Sequence, residues 1–211
     1  GDDIRGLDPR DIDRIWNSAY RKYSFRSPAV TAVLSAIDMA LWDIKGKRLG
    51  APVWDLLGGK VRDKVRAIVL LGTIGDSPRP TGPDSFAAAA KHAKNLGYTA
   101  LKMTPFPAGW GQLAHGDLIR QNVAIVEAVR EAVGWDFDIG IEIHRNMMPG
   151  QSVVFARQIE KFLPYIYEDP IAPDSVMSMG MVGDKINLPL AVGERNNTVW
   201  EFREYCMFPG V

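Results

Sequence analysis

Three glutamates have the types and spacing that most directly point to chemistry. Glu142 ends the run Ile-Gly-Ile-Glu, Glu168 ends Tyr-Ile-Tyr-Glu, and Glu194 follows Leu-Ala-Val-Gly. Successive members are 26 residues apart, about one strand-plus-helix unit. If those runs are parallel strands, all three acids reach the same C-terminal end, where the active sites of barrels are built. Carboxylates crowded together raise one another's pKa values, and a divalent cation removes the conflict. Donors that are all oxygen suit magnesium, which keeps positions open for water or substrate. No Cys/His cluster of zinc type competes with them. The alternative is that the glutamates cap helices or pair with Arg145, Arg195 and other cations; their equal spacing on successive runs favours the metal.

Four further residues adjoin this set. His144 lies two positions beyond Glu142, so on a continuing strand it faces the same side. A histidine can serve as a proton donor in catalysis. Lys102, in Leu-Lys-Met-Thr-Pro-Phe, could present a cation to a substrate carboxylate or pair with a barrel acid. Arg145 and Arg195 each adjoin a candidate ligand or its loop, and could bind substrate oxygens or bridge carboxylates. The Gly/Pro-rich stretches 74–83 and 105–116 should border the same mouth, with Trp110 and His115 either closing over substrate or lying on a mobile surface. His92 falls within a helical stretch and has no assigned role.

These residues need elements to hold them. Asp8-Pro9 reads as a helix start; Ile12, Ile15, Trp16, Ala19, Tyr20 and Tyr23 follow at helical spacing. A second helix begins after Ser27-Pro28, carries Val30, Val33, Leu34, Ile37, Leu41 and Ile44, and stops at Gly46 or Gly50. Residues 52–57 read as a short third helix. From residue 65 the pattern changes to apolar runs of strand length at 65–71, 100–103, 137–143, 165–167 and 190–192. Helical stretches at 85–96, 117–133, 153–163 and 199–207 separate or follow them. Such alternation predicts an α/β fold of parallel strands joined by crossover helices.

Both an open doubly wound sheet and a (β/α) barrel fit that pattern. No G-x-G-x-x-G turn follows the first strand, which disfavours the dinucleotide-binding form of the open sheet. A barrel takes roughly 250 residues, whereas 65–211 provides 147 and five strands, so the barrel reading is of a fragment.

Composition agrees with a protein acting on a small molecule. Of 211 residues, 46% are hydrophobic, enough for a sizeable core; Lys plus Arg and Asp plus Glu are 25 each, without a basic block. Nucleic acid and anionic membrane are therefore not expected as partners. The single Cys206 cannot pair within the chain, and the polar start does not resemble a signal peptide, so the expected compartment is the cytoplasm. The chain starts on Gly1 rather than Met, and its natural N-terminus is expected upstream.

Residues 35–60 (SAIDMALWDIKGKRLGAPVWDLLGGK) resemble the signature of the mandelate racemase group of the enolase superfamily, and Glu142, Glu168 and Glu194 stand where that family places its magnesium ligands. The usual first ligand is an aspartate, from which Glu142 departs. The resemblance implies residues 1–62 as a helical remnant of an α+β cap domain. Residues 63–211 would be the first five strand-helix units of a TIM-type (β/α)7β barrel. It implies removal of the proton next to a carboxylate. Lysine-dependent members carry Lys-x-Lys on the second strand, where this chain has Lys102 and Thr104. The Glu142-x-His144 pattern instead resembles sugar-acid dehydratases, gluconate or galactonate dehydratases among them. Their histidine helps expel the 3-hydroxyl to give a 2-keto-3-deoxy acid. The resemblance places the proton-abstracting base on a later strand, beyond Val211, and implies a homo-oligomer at full length. An epimerase or racemase of the same superfamily, and a noncatalytic fragment, are the alternative readings.

Overall fold

The computed structural model describes residues 4–22, 27–72 and 79–211. The chain divides into two compact units, Gly1–Val65 and Arg66–Val211.

The first unit is helical: α1 (Ile12–Lys22), α2 (Pro28–Leu49) and α3 (Val53–Leu56). Asp8-Pro9 forms a turn ahead of α1 rather than its cap, because the Asp8 carboxylate is taken by Arg10. That pairing holds the Asp8 carboxyl down at about 2. α2 has the expected start: the Ser27 hydroxyl accepts from the Val30 amide at 3.4 Å, with Pro28 in the first turn. Gly50 ends it in the left-handed region at φ 65°. Gly46 stays inside the helix, where a Cβ would lie 2.7 Å from the Ala51 carbonyl. Ile12, Ile15 and Leu41 form the centre of this unit. Val33 and Ile44 are exposed, so the apolar stripe of α2 is wider than the face it buries here. Tyr23, expected on the α1 stripe, lies outside the described residues.

Among the described residues the second unit holds five strands: β1 (Val69–Leu70), β2 (Ala100–Met103), β3 (Asp138–Glu142), β4 (Ile166–Glu168) and β5 (Leu190–Ala191). Between and after them run α4 (Pro83–Asn95), α5 (His115–Val133), α6 (Pro149–Ile159), α7 (Val176–Gly183) and α8 (Val199–Tyr205). All pairings are parallel and the spatial order is the sequence order, β1 to β5. A doubly wound sheet reverses order at a switch point; this sheet does not, which makes it a section of a barrel wall.

One face of the sheet is buried under helices. Leu101, Met103, Ile139, Ile141 and Tyr167 pack with Ala90, Ile125, Val129, Phe155 and Ile159. Burying such a side chain fully is worth about 1.5–3 kcal/mol. The Tyr167 hydroxyl keeps a partner there, 3.0 Å from the Ser152 hydroxyl and donating to its carbonyl at 3.1 Å. Alternation sends Lys102, Gly140, Glu142, Ile166 and Glu168 to the other face.

At the strand-entry end, cations tie the elements together. The buried Arg130 of α5 donates to the carbonyls of Phe162 (3.0 Å), Gly134 (2.8 Å) and Phe137 (2.6 Å). Arg66 donates to the Thr99 hydroxyl and carbonyl, both at 2.7 Å, and pairs with Asp138. Lys94 reaches the Val133 carbonyl at 2.6 Å.

Two expectations are corrected. The first strand, expected over 65–71, is paired only at Val69–Leu70, with Leu71 adding one bond to Lys102. It is an edge strand, and Val65 is exposed. α7 was not expected at all; its sequence is rich in glycine and methionine and lacks charge. Gly183 is needed for close approach, since a Cβ there would lie 2.1 Å from the Gly210 carbonyl.

Candidate metal centre

Sheet register assembles the three glutamates. Glu142 and Glu168 end β3 and β4 as direct partners across the strand pair. Glu168 is registered with Ala191 on β5, and Glu194 follows in the turn beyond that strand. Each contributes a carboxylate oxygen to a group in which all three lie within 4.8 Å of one another. Exposure rises along the series: Glu142 is buried, Glu168 is partly buried, and the Glu194 side chain is 43% exposed.

Two cations sit among these acids. The Lys102 ammonium is 2.7 Å from Glu168 and 3.1 Å from Glu142. Burial alone would depress its pKa, but its hydrogen bonds to Glu168 and Glu142 and their charges outweigh that, and the lysine is held above its ordinary value. Arg145 pairs through Nη1 with Asp169 at 3.0 Å and also with Glu194. Burial pushes the Asp169 carboxyl up, against the pull of Arg145 and with the charges of Glu168 and Glu142 adding to it. Four carboxylates face two cations, which leaves a surplus of two negative charges. The surplus, with oxygen donors on three separate strand ends, suits a hard divalent cation. Among the described residues, Glu142, Glu168 and Glu194 are the group close enough to share an ion.

The backbone around the site is unusual. His144 (φ 52°), Arg145 (φ 66°) and Asp169 (φ 41°) all occupy the left-handed region without being glycine. Such a conformation costs roughly 1–2 kcal/mol per residue. The two strained turns are joined, because the Arg145 amide donates to the Asp169 carbonyl at 2.9 Å.

His144 does not sit on an extended strand as expected. β3 stops at Glu142, and His144 is an exposed turn residue, so strand alternation no longer fixes its direction. Its Nε2 is 2.9 Å from Arg145 Nη2. A guanidinium only donates, so in this contact Nε2 is the acceptor. Lys102 pairs with barrel acids, and Arg145 bridges carboxylates. Arg195 lies exposed in the turn after β5, with no salt bridge among the described residues.

The loop after β2 is anchored rather than loose. Pro105, Phe106 and Pro107 are buried, and Trp110 packs against Phe106 with ring centres 4.8 Å apart and planes tilted by 51°. The buried Asn122 carboxamide, with its nitrogen toward the loop, donates to the Pro105 carbonyl at 3.0 Å. His115 is the first residue of α5. Residues 73–78 of the other mouth loop lie outside the described residues.

Asp169 is the residue that the sequence reading missed. Alternation sends the neighbour of a strand-end ligand to the opposite face; here β4 ends at Glu168 and the positive φ of Asp169 returns it to the site. The proline at 170 was the available signal that the strand stops.

Comparisons with known proteins place this geometry. Residues 85–208 match the family described as enolase C-terminal domain-like. Residues 1–58 match the N-terminal domain of mandelate racemase / muconate lactonizing enzyme. Over 204 residues the chain is 37% identical to the D-gluconate dehydratase of Thermoproteus tenax, covering 96% of this chain and 40% of that protein. It is 31% identical to the D-galactonate dehydratase of Klebsiella pneumoniae (strain 342), covering 96% and 51%. The chain thus spans about half the length of the curated relatives it matches. A solved structure of a member of the enolase superfamily from Salmonella Typhimurium superposes with a TM-score of 0.91 at 33% identity, over 98% of this chain and 57% of that one. No helix among the described residues is long and apolar enough to cross a membrane.

Proposed function

Since the chain belongs to the mandelate racemase / muconate lactonizing enzyme group of the enolase superfamily, we propose that it provides the magnesium-holding part of a sugar-acid dehydratase. The substrate class is an aldonate and the product a 2-keto-3-deoxy acid. The observation that carries this reading is the convergence of Glu142, Glu168 and Glu194 within 4.8 Å, in a chain whose relatives include D-gluconate and D-galactonate dehydratases. In this reading residues 1–62 belong to a cap domain and 63–211 to the barrel. The protein acts in the cytoplasm on a small diffusible acid, and at full length it is a homo-oligomer.

Glu142, Glu168 and Glu194 would hold Mg2+. Bound there, the ion supplies Lewis-acid stabilisation of the negative charge that develops on the substrate carboxylate when the C2 proton leaves. Lys102 lies against the same two ligands and offers an ammonium hydrogen to that carboxylate. Arg195 offers an exposed guanidinium to substrate oxygens, and Arg145 a second one. In its imidazolium form His144 would deliver a proton to the departing 3-hydroxyl, which leaves as water. The C2 proton would pass to a general base on a later barrel strand of the full-length protein, the C3–O bond breaks, and the enol product tautomerises to the 2-keto-3-deoxy acid.

The test is to titrate the full-length protein with Mg2+ and then incubate it with gluconate, galactonate and related aldonates labelled with deuterium at C2. Metal binding and 2-keto-3-deoxy product are expected. Loss of label without loss of water would move the assignment to an epimerase. No divalent binding at millimolar concentration would sink the metal centre itself.

A further inference from the structure

Arg145 is the hinge of the mouth, because its one Nη1 atom serves two carboxylates at once. Asp169 is buried at 3.0 Å from it, and Glu194 is the exposed partner. Nη2 is occupied by His144 at 2.9 Å, and the Arg145 amide is bonded to the Asp169 carbonyl. The guanidinium is therefore fixed by β3 and β4 loop residues, whereas Glu194 comes from the turn after β5 and is the least buried of the three candidate ligands.

A carboxylate committed to an arginine is a poor ligand, since its charge is already neutralised. For Glu194 to serve a cation it must release the guanidinium, and a partly buried arginine left without a counter-charge is expensive. Asp169 removes that obstacle, for it remains on Nη1 when Glu194 departs. We propose that Asp169 is a positioning residue: it retains Arg145 and compensates its charge, so that Glu194 is free to join Glu142 and Glu168 on a divalent cation. The inference rests on the metal reading of those three glutamates.

The two halves of the pair then have opposite effects. Without the Asp169 charge, Arg145 depends wholly on Glu194 and competes with the cation for it. Without Arg145, the competitor and its repelling charge are both gone. Asp169→Asn is expected to weaken divalent binding about 10-fold, within the range for residues that act behind a metal ligand. Arg145→Gln is expected to leave it equal or tighter, and the double variant should behave as Arg145→Gln does.

Binding of Mn2+, followed by calorimetry and by the electron spin resonance of the free ion, reads this without any turnover. Wild type and Glu168→Gln are measured first. If wild type does not bind, or Glu168→Gln binds as well as wild type, the metal centre is wrong. If that pair behaves as expected but Asp169→Asn binds like wild type, the positioning role is wrong and the metal centre stands. Equal weakening by Asp169→Asn and Arg145→Gln would also overturn it, because a merely structural ion pair fails alike from either side. Thermal melts of each variant identify a loss of fold; if Asp169→Asn does not fold, Asp169→Ser replaces it, with the same 10-fold weakening expected and wild-type binding again overturning the role.

Discussion

Arg130, at the strand-entry end of the sheet, donates to four backbone carbonyls, those of Phe162, Gly134, Phe137 and Leu163. Arg145, at the strand-exit end, shares one nitrogen between two carboxylates. At the entry end Arg130 satisfies neutral acceptors, of which the Phe162 and Phe137 carbonyls would otherwise be buried unpaired, and Arg66 donates to the hydroxyl and carbonyl of the exposed Thr99 beside it. At the exit end, acids outnumber cations, and three non-glycine residues lie in the left-handed region against one, Leu163, at the entry end. The difference teaches where this unit holds itself together and where it is prepared to change partners. Bonds to carbonyls have no competitor, whereas bonds among surplus carboxylates can be exchanged for a cation.

The largest expected effect breaks the entry end. Arg130→Met would leave the buried carbonyls of Phe162 and Phe137 and the part-buried carbonyl of Gly134 short of a donor, at a cost on the order of 3 kcal/mol. The thermal midpoint should drop by roughly 6–12 °C for a domain of this size, while Mn2+ affinity is retained. A midpoint unchanged by this substitution would erase the contrast between the two ends. Next comes the exit end, where Glu168→Gln should weaken divalent binding on the order of 100-fold, through loss of a charged ligand. Its thermal midpoint should stay within about 3 °C of wild type, because Lys102 keeps Glu142 as a partner. Midway between the ends, Tyr167→Phe removes the buried bonds to Ser152, at about 1 kcal/mol in a denaturant titration.

The exit-end acids were legible in the sequence because the period of a strand-helix unit is nearly constant, so equal spacing became convergence. β2 and the Ser27 cap were legible for local reasons: a four-residue run apolar but for Lys102, and a hydroxyl placed before a proline. The entry-end anchors were not. Arg130 reads as an ordinary polar position on α5, and nothing local tells that its neighbours include the carbonyl of Phe162, 32 residues on. His144 and Asp169 were misjudged or missed for one shared reason: period-two alternation holds only inside a strand, and both lie just past a strand end. α7 was missed because its glycines argue against a helix, although they are what lets it approach the segment around Phe208 and Gly210.

The smallest effect sharpens the comparison on its stable side. Glu160, in the turn after α6, accepts from the Asn187 side chain at 3.1 Å and from its amide at 3.0 Å, which ties the approach to β5 to the end of α6. Those side-chain and backbone hydrogen bonds hold its carboxyl below the usual glutamate value. A carboxyl depressed in the folded state contributes stability above its unfolded pKa, and loses it as pH falls through the folded value. Glu160→Gln keeps a single acceptor and no charge, so it should melt about 1–2 °C below wild type near neutral pH. Below the ordinary glutamate range, from about pH 5 to pH 3, wild type loses the advantage of the anion and the two melting curves should converge. A gap that stays constant over that range would mean that the Asn187 contacts act by shape alone, and that charge is not what secures the entry end at this corner.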